Sequence, residues 1–91
     1  MAKDTNNVRE LIKDIKFNLP YLHFKGKLVV PLDVTINAQT DKLEILYICL
    51  NNGNKYTREV EQWFTDISHR KDNTTGNKLR FELFNKEAKE D

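Results

Sequence analysis

The segment Leu43-Glu44-Ile45-Leu46-Tyr47-Ile48-Cys49-Leu50 constrains the fold more than any other part of the chain, because it is rich in β-formers and apolar everywhere except Glu44. Successive side chains of a strand point to opposite faces of the sheet. Ile45, Tyr47 and Cys49 therefore form one apolar set, and Leu46, Ile48 and Leu50 form a second on the other side. Such a strand belongs at the centre of a sheet, and both of its faces call for cover. A register slip of one residue exchanges the two sets, so the pattern alone does not say which set faces the helices.

The flanking segments supply the rest of a sheet and two helices. Val8, Leu11, Ile12 and Ile15 follow the i, i+3, i+4, i+7 spacing of a helical face. Asn7 is placed to cap that helix, with Glu10 able to reach back, and Asn18 and Pro20 provide a stop. Tyr21–Phe24 and Lys27–Ile36 read as a hairpin across Lys25-Gly26, the longer strand carrying Leu28, Val30, Leu32, Val34 and Ile36 on one side. Pro31 cannot donate to a sheet ladder, and it falls where the shorter strand has run out.

After the central strand, Asn52-Gly53 predicts a tight type I′ turn into a short fourth strand over Asn54–Thr57. Val60, Trp63, Phe64 and Ile67 repeat the helical spacing, predicting a second helix that starts near Thr57, ends near Arg70-Lys71 and anchors the core through Trp63. A polar loop over 72–77 precedes a last strand, Lys78–Phe84, with Leu79, Phe81 and Leu83 on one face.

The expected class is α+β: an N-terminal helix, an antiparallel three- to four-stranded meander, a second helix and a final strand. Both helices would pack on one face of the sheet. If the third and last strands are neighbours, the second helix makes them a parallel pair. A chain of 91 residues sustains one core, so residues 1–84 are expected to form one domain and 85–91 a charged flexible tail.

A net charge of +1 gives no broad field for nucleic acid or an acidic membrane. No apolar run approaches the ~20 residues of a membrane span, and Met1–Asn6 has no apolar stretch, so the expected location is the cytoplasm. Ten Asn and eleven Lys suit an AT-rich genome of the kind carried by phages and mobile elements.

The search for reactive chemistry is short. Cys49 is the sole cysteine and reads as a small buried hydrophobe; His23 and His69 have no metal-ligand partner at useful spacing. The pairs Glu59/Glu61 and Glu87/Glu90 fall at a helix start and in the tail, and Gly26, Gly53 and Gly76 are isolated rather than gathered in a phosphate loop. The expectation is therefore a non-enzymatic chain that uses neither metal nor cofactor.

Three arrangements would cover the second face of the central strand: a helix on each face, the tail folded back, or another molecule. A monomer seldom leaves a large apolar patch in water. The third arrangement implies a protein-binding module, with Ile45, Leu46, Tyr47, Ile48, Leu50 and Phe84 as interface candidates toward a protein partner or a second copy in a homodimer. The alternative is nucleic-acid binding, since helix, three strands, helix is also the order in double-stranded RNA-binding domains. In that case the basic patch would be His69, Arg70, Lys71, Lys78 and Arg80, with Glu59 and Glu61 opposing phosphate at the start of the second helix.

Arg9-Glu10-Leu11-Ile12-Lys13-Asp14-Ile15-Lys16, together with the turn Asn51-Asn52-Gly53-Asn54-Lys55-Tyr56 after an aliphatic strand, resembles small phage-encoded anti-CRISPR inhibitors of Cas9. The resemblance covers these two segments. It implies a small helix-plus-antiparallel-sheet inhibitor that binds a defence nuclease. DNA mimicry in that family uses a strongly acidic surface, from which a chain of charge +1 departs.

Overall fold

The computed structural model describes residues 8–84. A helical segment at residues 8–12 (α1) is followed by β1 (Tyr21–His23), β2 (Leu28–Ile36), β3 (Leu43–Cys49), β4 (Lys55–Glu59), a single-turn helix α2 (Val60–Trp63) and β5 (Phe81–Leu83). The five strands form one sheet in the order β4-β3-β2-β1-β5, antiparallel at every pairing. The class is α+β, with β3 inside the sheet as its two apolar sets demand. β5 lies beside β1, at the opposite edge from β4, so the last strand is no neighbour of β3 and no parallel pair exists among the described strands.

The sheet curls. Adjacent strands lie about 4.8 Å apart, so β4 and β5 would stand roughly 19 Å from one another in a flat sheet. Instead the Arg58 guanidinium of β4 lies 6.0 Å from the Phe81 ring centre of β5, and the rings of Tyr47 in β3 and Phe81 are 5.5 Å apart. The result is a half-barrel whose concave face holds the core: Tyr21, Val29, Ile45, Tyr47, Cys49 and Phe81, closed by Val60 and Trp63. Trp63 stacks on Phe81 at 4.0 Å and meets Tyr21 and Tyr47 edge-on.

Both helices sit on the concave side. Val8, Leu11, Ile12 and Phe17 pack on the same core as α2, and the Tyr21 hydroxyl accepts the Lys16 N–H at 2.9 Å. The helical spacing from Val8 to Ile15 is realised as α1 plus a turn, with Ile15 buried and Asn18 in the left-handed region that ends the segment. The capping position Asn7 and the tail 85–91 lie outside the described residues.

Several expected elements take a different form, each for a local reason. In β2 the register shifts between Pro31 and Asp33, so Leu28, Val30, Leu32, Val34 and Ile36 do not share one face. Before the bulge Val29 and Pro31 face the core; after it Val34 does, while Ile36 is 63% exposed. Pro31 pairs with Tyr47 on one side, and on the other its carbonyl accepts the Asn18 N–H, so its missing donor costs no ladder bond.

The β3–β4 connection is a five-residue loop over 50–54 rather than a type I′ turn. That turn needs positive φ at both central residues, and here Gly53 has it but Asn52 does not. Asn52 instead accepts the Asn54 N–H through Oδ1, and β4 runs on to Glu59.

The second helix is the largest departure. α2 spans one turn, after which Ile67 N–H donates to the Lys78 carbonyl and Arg80 N–H to the Thr65 carbonyl, joined by a bridge between Asp66 and Leu79. Val60, Trp63 and Ile67 are buried as the spacing required, but an extended crossing satisfies it as well as a helix does. His69, Arg70 and Lys71 therefore lie in a turn and not at a helix end. Among the described residues, no helix is long and apolar enough to cross a membrane.

Candidate functional site

The hairpin tips β1–β2 and β3–β4 lie at the same end of the half-barrel, opposite the end closed by α1. Between them opens a cleft of about 250 Å³ lined by His23, Lys27, Val29, Tyr47, Cys49, Asn52, Tyr56, Arg58 and Phe81. All five strands or their tips contribute, which is possible only because the sheet curls. Gly26 makes the β1–β2 tip: its φ of 95° suits glycine, and its N–H donates to the His23 carbonyl at 2.7 Å.

Val29 and Cys49 form the floor, and the rings of His23, Tyr47, Tyr56 and Phe81 form the walls. His23 meets Phe81 edge-on at 4.9 Å, and Tyr47 faces Tyr56 at 5.8 Å across the β3–β4 ladder. Tyr56 is 42% exposed at the rim, where its hydroxyl accepts from the Asn52 and Asn54 amides.

The charge at the cleft is one-sided. Lys27 and Arg58 line it, and no carboxylate does. Arg58 donates from Nη1 to Gln62 Oε1 at 3.2 Å, while its buried Nε has no hydrogen-bond partner. Burial, aided by Arg58, Arg80, Lys25 and Lys27, pushes His23 down to about 4 from the usual 6.5. Its Nδ1 accepts the Lys25 N–H at 3.1 Å, so the neutral ring carries its proton on Nε2. Arg80 is lowered too, by burial and then by Arg58 and Arg70.

The depressed His23 value fixes the sign of a pH effect. The unfolded chain binds the proton between pH 6.5 and 4 while the folded chain resists it, so this contribution to stability is complete above pH 6.5 and is lost as pH falls through 4. Because His23 is partly exposed, solvent screening discounts the effect to about 1–2 kcal/mol. Urea melts of wild type from pH 7 to pH 4 should show this loss, and His23→Gln should flatten that part of the curve. An unchanged slope in the variant would rule His23 out as its source.

Beside the cleft, the Lys25 Nζ, Arg70 Cζ and Arg80 Cζ atoms converge on the buried Phe24 ring at 5.8, 5.1 and 5.6 Å. Asp72 partly neutralises this ridge, pairing with Arg70 at 2.9 and 3.0 Å and with Lys25 at 3.6 Å. Of the basic residues singled out in the sequence, Arg70 and Arg80 thus come together. His69 and Lys78 act on Asp66 instead, and Lys71 stands exposed in its turn.

The apolar candidates separate by face. Ile45 is fully buried, and Tyr47 is core on one side and cleft wall on the other. Leu46 and Ile48 are half-buried on the convex face, where Ile48 pairs with Val30, and Leu22 with Leu28. Leu50 is exposed in the β3–β4 loop; Phe84 follows β5 and donates its N–H to the Pro20 carbonyl.

Lys25, Lys27, Asn52, Tyr56 and Arg58 had not been singled out from the sequence as site residues. The usable signal lay in Lys55–Glu59: read as a strand paired with β3, its alternation puts Tyr56 and Arg58 on the face of Tyr47. Among the described residues, no group of three or more His, Cys, Asp or Glu gathers in a metal-binding arrangement.

No family model matches the sequence, and no curated protein is significantly similar to it. Among solved structures, the fold is similar to the crystal structure of a protein of the DUF1653 family from Bordetella bronchiseptica, with a TM-score of 0.64 at 21% identity, covering 79% of this chain and 90% of that one. At this identity the likeness concerns the fold alone.

Proposed function

We propose that this chain is a non-enzymatic recognition module that binds an anionic partner in the cleft between its two hairpin tips. The observation that carries the reading is the lining of the ring-walled cleft, which presents two cations, Lys27 and Arg58, and no carboxylate. Cations that no carboxylate neutralises within a cleft of low polarity form charge-assisted hydrogen bonds to an anionic acceptor. Burial first, and then the surrounding cations, keep the His23 ring neutral, so it adds no competing charge to the cleft.

The non-enzymatic part of the proposal rests on the other groups present. Cys49 lies on the floor and His23 on the wall, yet among the described residues no hydrogen bond joins thiol to imidazole, and His23 Nδ1 is engaged by the Lys25 N–H.

The test uses Trp63, the chain's single tryptophan, which stacks on the cleft residue Phe81 and so reports occupancy through its emission. Wild type and Arg58→Gln are titrated at low salt with inorganic pyrophosphate, a short polyglutamate peptide and a single-stranded oligonucleotide. At least one anion should bind, and the variant should lose roughly 10- to 100-fold in affinity, the worth of a charge-assisted hydrogen bond. No response to any of the three, or binding indifferent to Arg58, defeats the proposal.

A second reading, contact with protein, is favoured by the convex face. There Leu22, Leu28, Val30, Leu46 and Ile48 are half-buried, and among the described residues neither helix packs over them. Inhibition of a nuclease or another host protein would be exercised through this face.

A further inference from the structure

We infer that the anion taken by the cleft is one nucleotide of a single-stranded nucleic acid, its base against the ring walls and its phosphate at Arg58 and Lys27. The inference rests on the anion-binding reading above and narrows it by three features of the same site.

First, the walls are aromatic. Tyr47, Tyr56 and Phe81 surround the opening, with Tyr56 standing at the rim. A nucleobase uses both the rings and the cations, because every base has a π-face and every linkage a negative charge. An acidic side chain would use the cations alone and leave the rings covered without a partner.

Second, the size fits one unit. About 250 Å³ falls just below the ~300 Å³ at which pockets for drug-sized ligands begin. That space suits a single ring system with its substituent. Polar groups are present for a base edge: the Asn52 amide and the Nε2–H that neutral His23 retains.

Third, the positive charge continues outward. From Lys27 and Arg58 it passes to Lys25, Arg70 and Arg80 around Phe24, directly beside His23. Counting Asp72, five cations stand against one carboxylate. A free nucleotide would need only the cleft, whereas a strand leaving it meets the ridge with its next phosphates. Duplex is disfavoured because the rings can reach a base only when it is unstacked.

The experiment follows fluorescence anisotropy of labelled single-stranded DNA and RNA homopolymers at low salt, with duplex of the same sequences, a mononucleotide and polyglutamate as comparison arms. Single strands should bind more tightly than duplex, mononucleotide or peptide, with affinity falling linearly against the logarithm of salt concentration. Tyr56→Ala should weaken strand binding roughly 10-fold through lost stacking, and Arg80→Gln should weaken strand but not mononucleotide. Thermal melts establish that both variants remain folded; Tyr56→Phe, which keeps the ring, should retain binding in any case.

Each adverse result has a distinct meaning. Arg58-dependent binding of peptide or pyrophosphate without binding of single strands overturns the nucleotide assignment and leaves the anion reading intact. Duplex bound as tightly as single strand, or a folded Tyr56→Ala with wild-type affinity, overturns the stacked-base geometry. Mononucleotide bound as tightly as strand overturns the role of the ridge. Failure of every anion overturns both readings together.

Discussion

Trp63→Ala is expected to abolish cooperative folding near room temperature or to lower the melting temperature by about 15–30 °C. Trp63 is 0% exposed, and its indole joins β3 to the β1–β5 pair, which a flat sheet would keep apart from it. It stacks on Phe81 of β5 at 4.0 Å with an interplanar angle of 12°, and meets Tyr21 of β1 and Tyr47 of β3 edge-on at 5.4 and 5.6 Å. Truncating a buried tryptophan costs about 3–5 kcal/mol, against a total of roughly 5–15 kcal/mol for a domain. The loss also removes the filler around which the sheet curls.

Trp63→Phe should be far milder. It retains a ring against Phe81 and deletes the indole Nε1–H, a buried donor that has no partner. Circular-dichroism melts of the two variants give the comparison. If Trp63→Ala melted within a few degrees of wild type, Trp63 would not hold the curled sheet together.

Lysine at two adjacent positions of β3 should produce opposite outcomes. Tyr47→Lys is expected to unfold the chain, since Tyr47 is 8% exposed, packs on Trp63 and Phe81, and shares its cleft with Lys27 and Arg58. A further buried cation there has no counter-charge among the lining residues, a loss of several kcal/mol. Leu46→Lys should stay folded. Leu46 lies half-buried on the convex face opposite Asp33, which offers the new ammonium a cross-strand partner.

Melts paired with size-exclusion chromatography and light scattering give both readouts. If the convex face serves protein contact, Leu46→Lys loses association while keeping its fold and its anion binding. If both variants unfold, both apolar sets of β3 are interior, and the convex-face reading fails.

The sequence carried the backbone of this fold because its strongest signals are local. Alternation over Tyr21–Ile36 predicted the β1–β2 hairpin, and Tyr21 does pair with Val29; the doubly apolar segment 43–50 predicted a strand inside the sheet, and β3 lies there between β2 and β4. Val60, Trp63 and Ile67 were expected in the core, and all three are buried. Burial periodicity, however, reports which residues are inside and not the path that brings them there. An extended crossing tied to 78–80 satisfies the spacing that suggested a second helix. The bulge between Pro31 and Asp33 was hidden as well, because Leu28, Val30, Leu32, Val34 and Ile36 alternate without a break while the inserted residue moves Val34 onto the core face of Val29 and Pro31.

What the sequence determined by itself, then, is the class, the strand at the centre and the membership of the core, since each follows from side-chain pattern along the chain. What only the tertiary structure decided is the curl of the sheet and the cleft it creates. His23, Lys27, Tyr56, Arg58 and Phe81 come from three strands and a hairpin tip, and no spacing links them. They meet because packing around Trp63 bends β4 and β5 toward each other, and their shared field exists only once that packing has removed water from between them.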